Sequence, residues 1–389
     1  MNIRATKKDE EVLIRTTIVY EQLLEAYLSK KRRALLEGGT ASSKCLGRGT
    51  RVVMADLTLK AVEDIAVDDA LMGIDGKPRR VLSLYRGQDD LYKIKQARGI
   101  DYIVSSNHIL SLRECWKELR RNEPKGKRVY IGHTNPYTVI NISLQNYLQK
   151  GYRWRRRHKG WKLAGVELPE RKVLVEPYFL GLWLGDGTRG NTNITNSDKE
   201  IIDYLKWFAV RNNLTYGKIK DDKYGHTLVR TTRREANPLR KALRDYGIFE
   251  DKRIPKEYLN NSRQVRLELL AGLIDSDGFK TNKGGMFAIN QTKKELAEDI
   301  LLLVRSLGCY ATFNKYIARM KRNDGSVYET NVYYVAFVGE ALNEVPVKLE
   351  RKRSKTKFLE RRYSSAIEVE PLGIGDYFGF ELSGDFCFY

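Results

Sequence analysis

"YFLGLWLGDG" (residues 178–187) and "LLAGLIDSDG" (residues 269–278) are two apolar stretches that both end in Asp-Gly. Each sets small residues four apart: Gly181 and Gly185 in the first, Gly272 and Ser276 in the second. Residues at that spacing share a helix face, so two such helices can pack backbone against backbone. The seam would bring Asp186 and Asp277 side by side. The flanking text repeats too: "NITNSDKEIIDYLKWFAVRNNLTYG" follows the first stretch and "FAINQTKKELAEDILLLVRSLGCYAT" the second. An apolar helix, a strand ending in a polar turn and an amphipathic helix, recurring with the acids 91 residues apart, predict a pseudo-twofold domain.

An aspartate at a helix C-terminus faces the negative end of the helix dipole, and two neighbouring aspartates repel. A cation resolves both problems. Oxygen ligands suit Mg²⁺, and ions shared by two carboxylates can serve in-line attack on a phosphodiester. Gly187 and Gly278 are expected to close the helices in the left-handed C′ conformation. The competing reading makes both acids ordinary helix-end residues before capping glycines.

Charge points to a polyanionic partner. The 389 residues carry 70 Lys+Arg against 49 Asp+Glu, a net +21, which favours nucleic acid. The excess is clustered in "RRNEPKGKR" (120–128), "YRWRRRHKGWK" (152–162) and "KLERKRSKTK" (348–357). In the second cluster Arg153, Arg155, Arg156, Arg157 and Lys159 interleave with aromatics, as a groove that tracks phosphates and stacks bases requires. Arg351, Lys352 and Arg353 of the third are candidate DNA contacts. Cysteines 45, 115, 309 and 387 are scattered and show no CxxC spacing, against a zinc site or disulfide framework. No apolar run approaches a membrane span and the N-terminus has no signal-peptide pattern. A monomer in the reducing cytoplasm of a phage-infected or bacterial cell is expected.

A chain of this length suggests two or three domains. Residues 9–33 have helical periodicity. From 45 to about 112 the chain reads as short strands and turns, 116–170 is basic and turn-rich, helices and strands alternate over about 171–345, and "DYFGFELSGDFCFY" (376–389) reads as a final strand.

"LAGLIDSDG" (270–278) closely resembles the signature of LAGLIDADG homing endonucleases, and "FLGLWLGDG" (179–187) resembles a degenerate first copy. The resemblance implies a pseudo-dimeric αββαββα fold over about 171–360 whose sheets form a saddle on double-stranded DNA. It implies that Asp186 and Asp277 bind Mg²⁺ and cut both strands of a long site. "FEDKRIP" (249–255) resembles the family's Lys-x-Ile-Pro element and offers Lys252 as a basic catalytic partner. The matching place after the second acid, "LNEVPVKLERK" (342–352), offers Lys348, with Lys352 and Lys355 close behind.

The stretch from Cys45 to Leu84 resembles the first splicing block of inteins, which share the Hint fold with Hedgehog autoprocessing domains. Cys45 would attack the carbonyl of Lys44 to form a thioester. "VSSNHIL" (104–110) resembles the Thr-x-x-His block, with His108 as acid/base and Ser105 where the family often has Thr. "GDYFGFELSGDFCFY" (375–389) resembles the penultimate block, with Gly379 where many members carry Asp. The terminal His-Asn block does not follow before Tyr389, so complete splicing is not expected from these residues alone; truncation, a split element and decay stay open. Residues 1–44 would be host protein, since "EGGTASSK" (37–44) resembles the P-loop of phage large terminase subunits.

The expected fold class is therefore α+β and multidomain. A host fragment (1–44) precedes an all-β Hint domain (45–115 and 361–389), which is split by a basic region (116–170) and a pseudo-twofold LAGLIDADG endonuclease domain (171–360). The expected function is an intein-encoded, site-specific homing endonuclease with autocatalytic cleavage. The alternative is a nuclease-inactive DNA-binding protein or RNA maturase on the same scaffold.

Overall fold

The computed structural model describes residues 2–7, 10–15, 45–73, 75–97, 101–114, 118–120, 129–131, 139–161, 165–232, 236–281, 285–321, 326–355 and 364–383. The expected P-loop lies outside these residues. So does most of the helix expected over 9–33; its described part, Glu10–Arg15, is instead a strand paired antiparallel with Asn2–Lys7.

Helix Pro177–Asp186 starts on a proline, whose missing N–H costs nothing at a helix start. Helix Arg263–Ser276 starts on Ser262, whose hydroxyl accepts from Val265 N at 3.4 Å. These two apolar helices pack on each other at the spacing the glycines dictate. A Cβ on Gly272 would collide with the carbonyl of Tyr178 and lie 2.6 Å from Leu182 N; one on Gly181 would collide with Leu269 O and lie 3.0 Å from Gly272 Cα. Only hydrogen atoms fit between the two backbones. The glycines after the acids are not left-handed as expected: Gly187 is extended at φ −74°, and Gly278 opens a strand. Crowding explains both residues, because a side chain at 187 would run into the Trp183 ring and one at 278 into Ile274 Cα.

Each seam helix leads into an antiparallel sheet backed by an amphipathic helix. The first sheet has the order 194–195, 225–230, 214–218, and the second 278–280, 287–291, 327–338, 310–321. Helix Lys199–Arg211 buries Ile201, Tyr204, Leu205, Phe208 and Ala209, one face at three- and four-residue steps. Helix Lys294–Ser306 does the same with Leu296, Ala297, Ile300, Leu303 and Val304.

The rest of the chain builds a second core around Leu46, Val62, Leu71, Val81, Ile94, Val104 and Phe380. Its main sheet is closed by residues far apart in sequence. Strand Ile367–Leu382 pairs with residues 81–96 and, through Tyr377 and Phe378, with Gly47 and Leu46. The described part of the basic segment is largely strand and helix. Residues 139–143 and 158–161 add to strand Ile109–Glu114 in a four-stranded sheet, with helices Leu144–Gln149 and Tyr152–Arg157 between them. Val53, Leu57 and Met72 of this β-rich part share one apolar cluster with Val166, Val304 and Leu307 near the second seam half. Fully buried Arg266 donates to the carbonyls of Asn261, Val166 and Ser306, tying the incoming 165–175 segment to the seam helix. Among the described residues, no helix is long and apolar enough to cross a membrane.

Gly272→Ala inserts a methyl group where backbone atoms already touch, so it is expected to lower stability by about 1–3 kcal/mol. A urea-unfolding series reads this as a lower midpoint at unchanged slope; an unaltered midpoint would show that the seam is looser than described.

Candidate functional site

The seam brings its acids together at one end. Asp186 is the last residue of the first seam helix and Asp277 caps the second. A Cβ built on Gly185 would lie 3.2 Å from the carboxyl carbon of Asp277. Each carboxylate takes one side-chain amide: Asn196 Nδ2 donates to Asp186 Oδ2 and Gln291 Nε2 to Asp277 Oδ2, both at 2.6 Å. Asn196 follows strand Ile194–Thr195 and Gln291 ends strand Phe287–Gln291, so each sheet supplies one amide to its own acid.

A lysine closes each helix end. Lys252 Nζ donates to the carbonyls of Leu184 (3.1 Å), Gly185 (3.3 Å) and Gly187 (2.5 Å). Lys352 Nζ donates to those of Ile274 (2.7 Å), Asp275 (2.9 Å) and Ser276 (3.1 Å). Both ammonium groups sit where the helix dipole is negative and unpaired carbonyls converge. Lys348 was expected in the second of these places and is not there. Its backbone N–H donates to the buried Asp275 carboxylate at 2.6 Å, and its ammonium lies 4.6 and 4.5 Å from the ring centres of Tyr178 and Tyr204.

Burial dominates the electrostatics. It pushes the Asp186 carboxyl up to about 6, with the charge of Asp277 adding to the rise, while the Asn196 amide, Lys352 and Lys252 oppose it. Asp277 is raised for the same first reason, against Gln291 and the two lysines. Burial lowers Lys252 to about 8 and also lowers Lys352, while the two aspartates raise Lys252. The two acids and two lysines thus form one coupled group in which each lysine lessens the cost of the buried acids while the acids oppose each other.

Two hard carboxylates at adjoining helix ends fit a divalent ion of the Mg²⁺ kind, which takes one or two carboxylates and completes its shell with water and substrate phosphate. No cluster of three His, Cys, Asp or Glu suited to a metal occurs among the described residues.

The other expected contact residues divide. Arg351 is held in a two-pronged ion pair with Asp198 at 2.7 Å, and Arg353 pairs with Glu350 at 3.2 Å. Arg153, Arg156 and Arg157 lie exposed on helix Tyr152–Arg157, with Arg156 over the exposed Tyr152 ring; Arg155 and Lys159 are half-buried. Trp154 faces inward and stacks on His158 at 3.7 Å.

A second constellation surrounds Cys45. Its thiol is buried, and a Cβ on Gly379 would lie 3.0 Å from Sγ. Ser105 N donates to Cys45 O at 3.0 Å, and His108 N donates to Ser105 O at 3.1 Å, so the turn carrying Ser105 and His108 hangs directly from the cysteine's own peptide. Ser105 and His108 are both buried.

Asn196, Gln291 and Asp275 were not singled out from sequence. The first two could have been: "TNSDKE" and "NQTKKE" put Asn196 and Gln291 at the same step of the repeat. Asp275 has no such counterpart, because the first copy carries Leu184 there.

Residues 45–130 match the family model for a Hom_end-associated Hint domain, and residues 253–360 match that for a homing endonuclease. The chain is 28% identical to the replicative DNA helicase DnaB of Mycobacterium intracellulare over 312 residues, 76% of this chain and 49% of that protein. It is 29% identical to the homothallic switching endonuclease of Saccharomyces cerevisiae over 204 residues, 43% of this chain and 34% of that one. The chain spans about half or less of the length of these relatives. A solved structure described as mesophilic variants of the homing endonuclease I-DmoI aligns with 42% of this chain and 83% of its own at 15% identity, with a TM-score of 0.29. The chain thus carries a Hint-like segment and a homing-endonuclease segment, in mixed strand and helix.

Proposed function

We propose that the chain is an intein-type protein combining an autoprocessing Hint domain with a LAGLIDADG endonuclease that makes a double-strand cut at a long DNA site. The observation that carries the nuclease reading is the pairing of Asp186 and Asp277 at a glycine-packed seam, each with its own amide and lysine. Bound between these acids, Mg²⁺ would supply charge stabilisation at the scissile phosphates. Asn196 and Gln291 fix one oxygen of each carboxylate. Lys252 and Lys352 offset the helix dipoles and leave positive charge close to where a phosphate would sit. The exposed arginines of helix Tyr152–Arg157 extend the contact with DNA, and residues 1–44 belong to a P-loop host protein.

At the other site, Cys45 Sγ attacks the carbonyl carbon of Lys44. A C–S bond forms, the Lys44–Cys45 C–N bond breaks, and the thiol proton ends on the departing nitrogen. His108 is the group that moves it.

Incubating the purified chain with a plasmid carrying the uninterrupted host gene, with and without Mg²⁺, tests the nuclease. Asp277→Asn is expected to lower cutting at least 100-fold while DNA retention on a gel shift persists. Undiminished cutting would remove Asp277 from the mechanism, and binding without cutting by the wild type would favour the binding-protein or maturase alternative. Cys45→Ala is expected to abolish thiol-dependent cleavage at Lys44–Cys45 and spare plasmid cutting; cleavage that survives it refutes the cysteine assignment.

The raised carboxyl of Asp186 also sets a pH dependence. Below about 6 it holds a proton and gives up an ion ligand, so Mg²⁺ affinity measured by calorimetry should fall as pH drops from 7 to 5. A flat affinity across that range would contradict a raised Asp186 carboxyl acting as an ion ligand.

A further inference from the structure

We infer that Asp89, Ser106 and Gln145 are positioning residues for His108, which makes the basic insert a working part of the autoprocessing site; this rests on the autoprocessing reading above. The turn 105–108 is gripped from three directions. Ser105 N holds it to Cys45 O. The buried Ser106 hydroxyl lies 2.9 and 3.1 Å from the two Asp89 carboxylate oxygens, on strand Pro78–Gln96. Gln145 Nε2 donates to the same hydroxyl at 3.3 Å, and Leu144 N donates to His108 O at 2.8 Å.

Those last two bonds come from the first turn of helix Leu144–Gln149, which belongs to the basic insert. The helix is itself fixed. Ser143 caps it by accepting from Asn146 N at 3.3 Å, and the buried Leu144 and Tyr147 pack into the core that contains Val104, Leu110 and Leu112. The Asp89–Ser106–Gln145 chain therefore joins the strand, the histidine turn and the insert into one frame. An acid/base group must be held within a fraction of an ångström of its working position, and a misplacement of about 1 Å can cost about 100-fold in rate. A frame that fixes the residue two before His108 by side chain, and His108 itself by its carbonyl, meets that demand.

The test uses the full chain and follows release of residues 1–44 by added thiol or hydroxylamine across a pH series. Gln145→Ala and Asp89→Ala are expected to slow release about tenfold or more and to displace the pH–rate profile. Asp89→Asn keeps an oxygen acceptor for Ser106 and should recover most of the rate. Plasmid cutting should be unchanged in all three. The ring is read separately: the chain has four histidines, so the His108 titration midpoint can be followed by NMR in a Cys45→Ala background. It should move in Gln145→Ala and Asp89→Ala and return in Asp89→Asn. Rates within twofold of wild type, or a uniform slowing with the His108 midpoint unmoved, would overturn the inference. Should the wild type release nothing under thiol or hydroxylamine, the autoprocessing reading fails, and the His108 midpoint alone then decides whether these residues hold the ring.

Discussion

Backbone contact between two helices is the constraint on which the endonuclease half depends. Gly181 and Gly272 each sit against the other helix's main chain, and Gly185 faces Ser276 and Asp277. Such an approach forfeits side-chain packing along the seam. What it gains is position: the two helix ends, and with them Asp186 and Asp277, are set by covalent backbone geometry and not by flexible side chains.

That precision creates an electrostatic problem, which the molecule answers locally. Two carboxylates at the negative ends of two helices are disfavoured by burial, by the dipoles and by each other. Lys252 and Lys352 answer from segments distant in sequence, each bonding to three carbonyls, and the amides of Asn196 and Gln291 stabilise the ionised form. The site is a balance of opposed terms, which the proposed cation would shift in favour of the ionised acids.

The β-rich part depends on a different long-range closure. Strand Ile367–Leu382 pairs with Leu46–Gly47 and with residues 81–96, so the sheet is closed by residues far apart in the chain. The two parts nevertheless meet in one apolar cluster, with Val53, Leu57 and Met72 on one side and Val304 and Leu307 on the other. The insert reaches back to grip the His108 turn.

The sequence by itself determined the seam helices, their paired aspartates and the division into strand-rich and alternating segments. Each of these rests on local spacing: glycines four apart, Asp-Gly ends, apolar periods. Lys252 came from the resemblance of "FEDKRIP" (249–255) to the Lys-x-Ile-Pro element. Local text could not choose between Lys348 and Lys352, because both are lysines on one short irregular segment. Tertiary contact chose: Asp275, a buried residue of the second seam helix itself, captures the backbone of Lys348, whose ammonium lies over two tyrosine rings, leaving Lys352 to reach the helix end. The glycines after the acids went the same way: they are not left-handed, and they are glycines because Trp183 and Ile274 fill the space a side chain would need. Which groups meet across a packed interface is decided by distance in space, and a one-dimensional pattern carries no record of it.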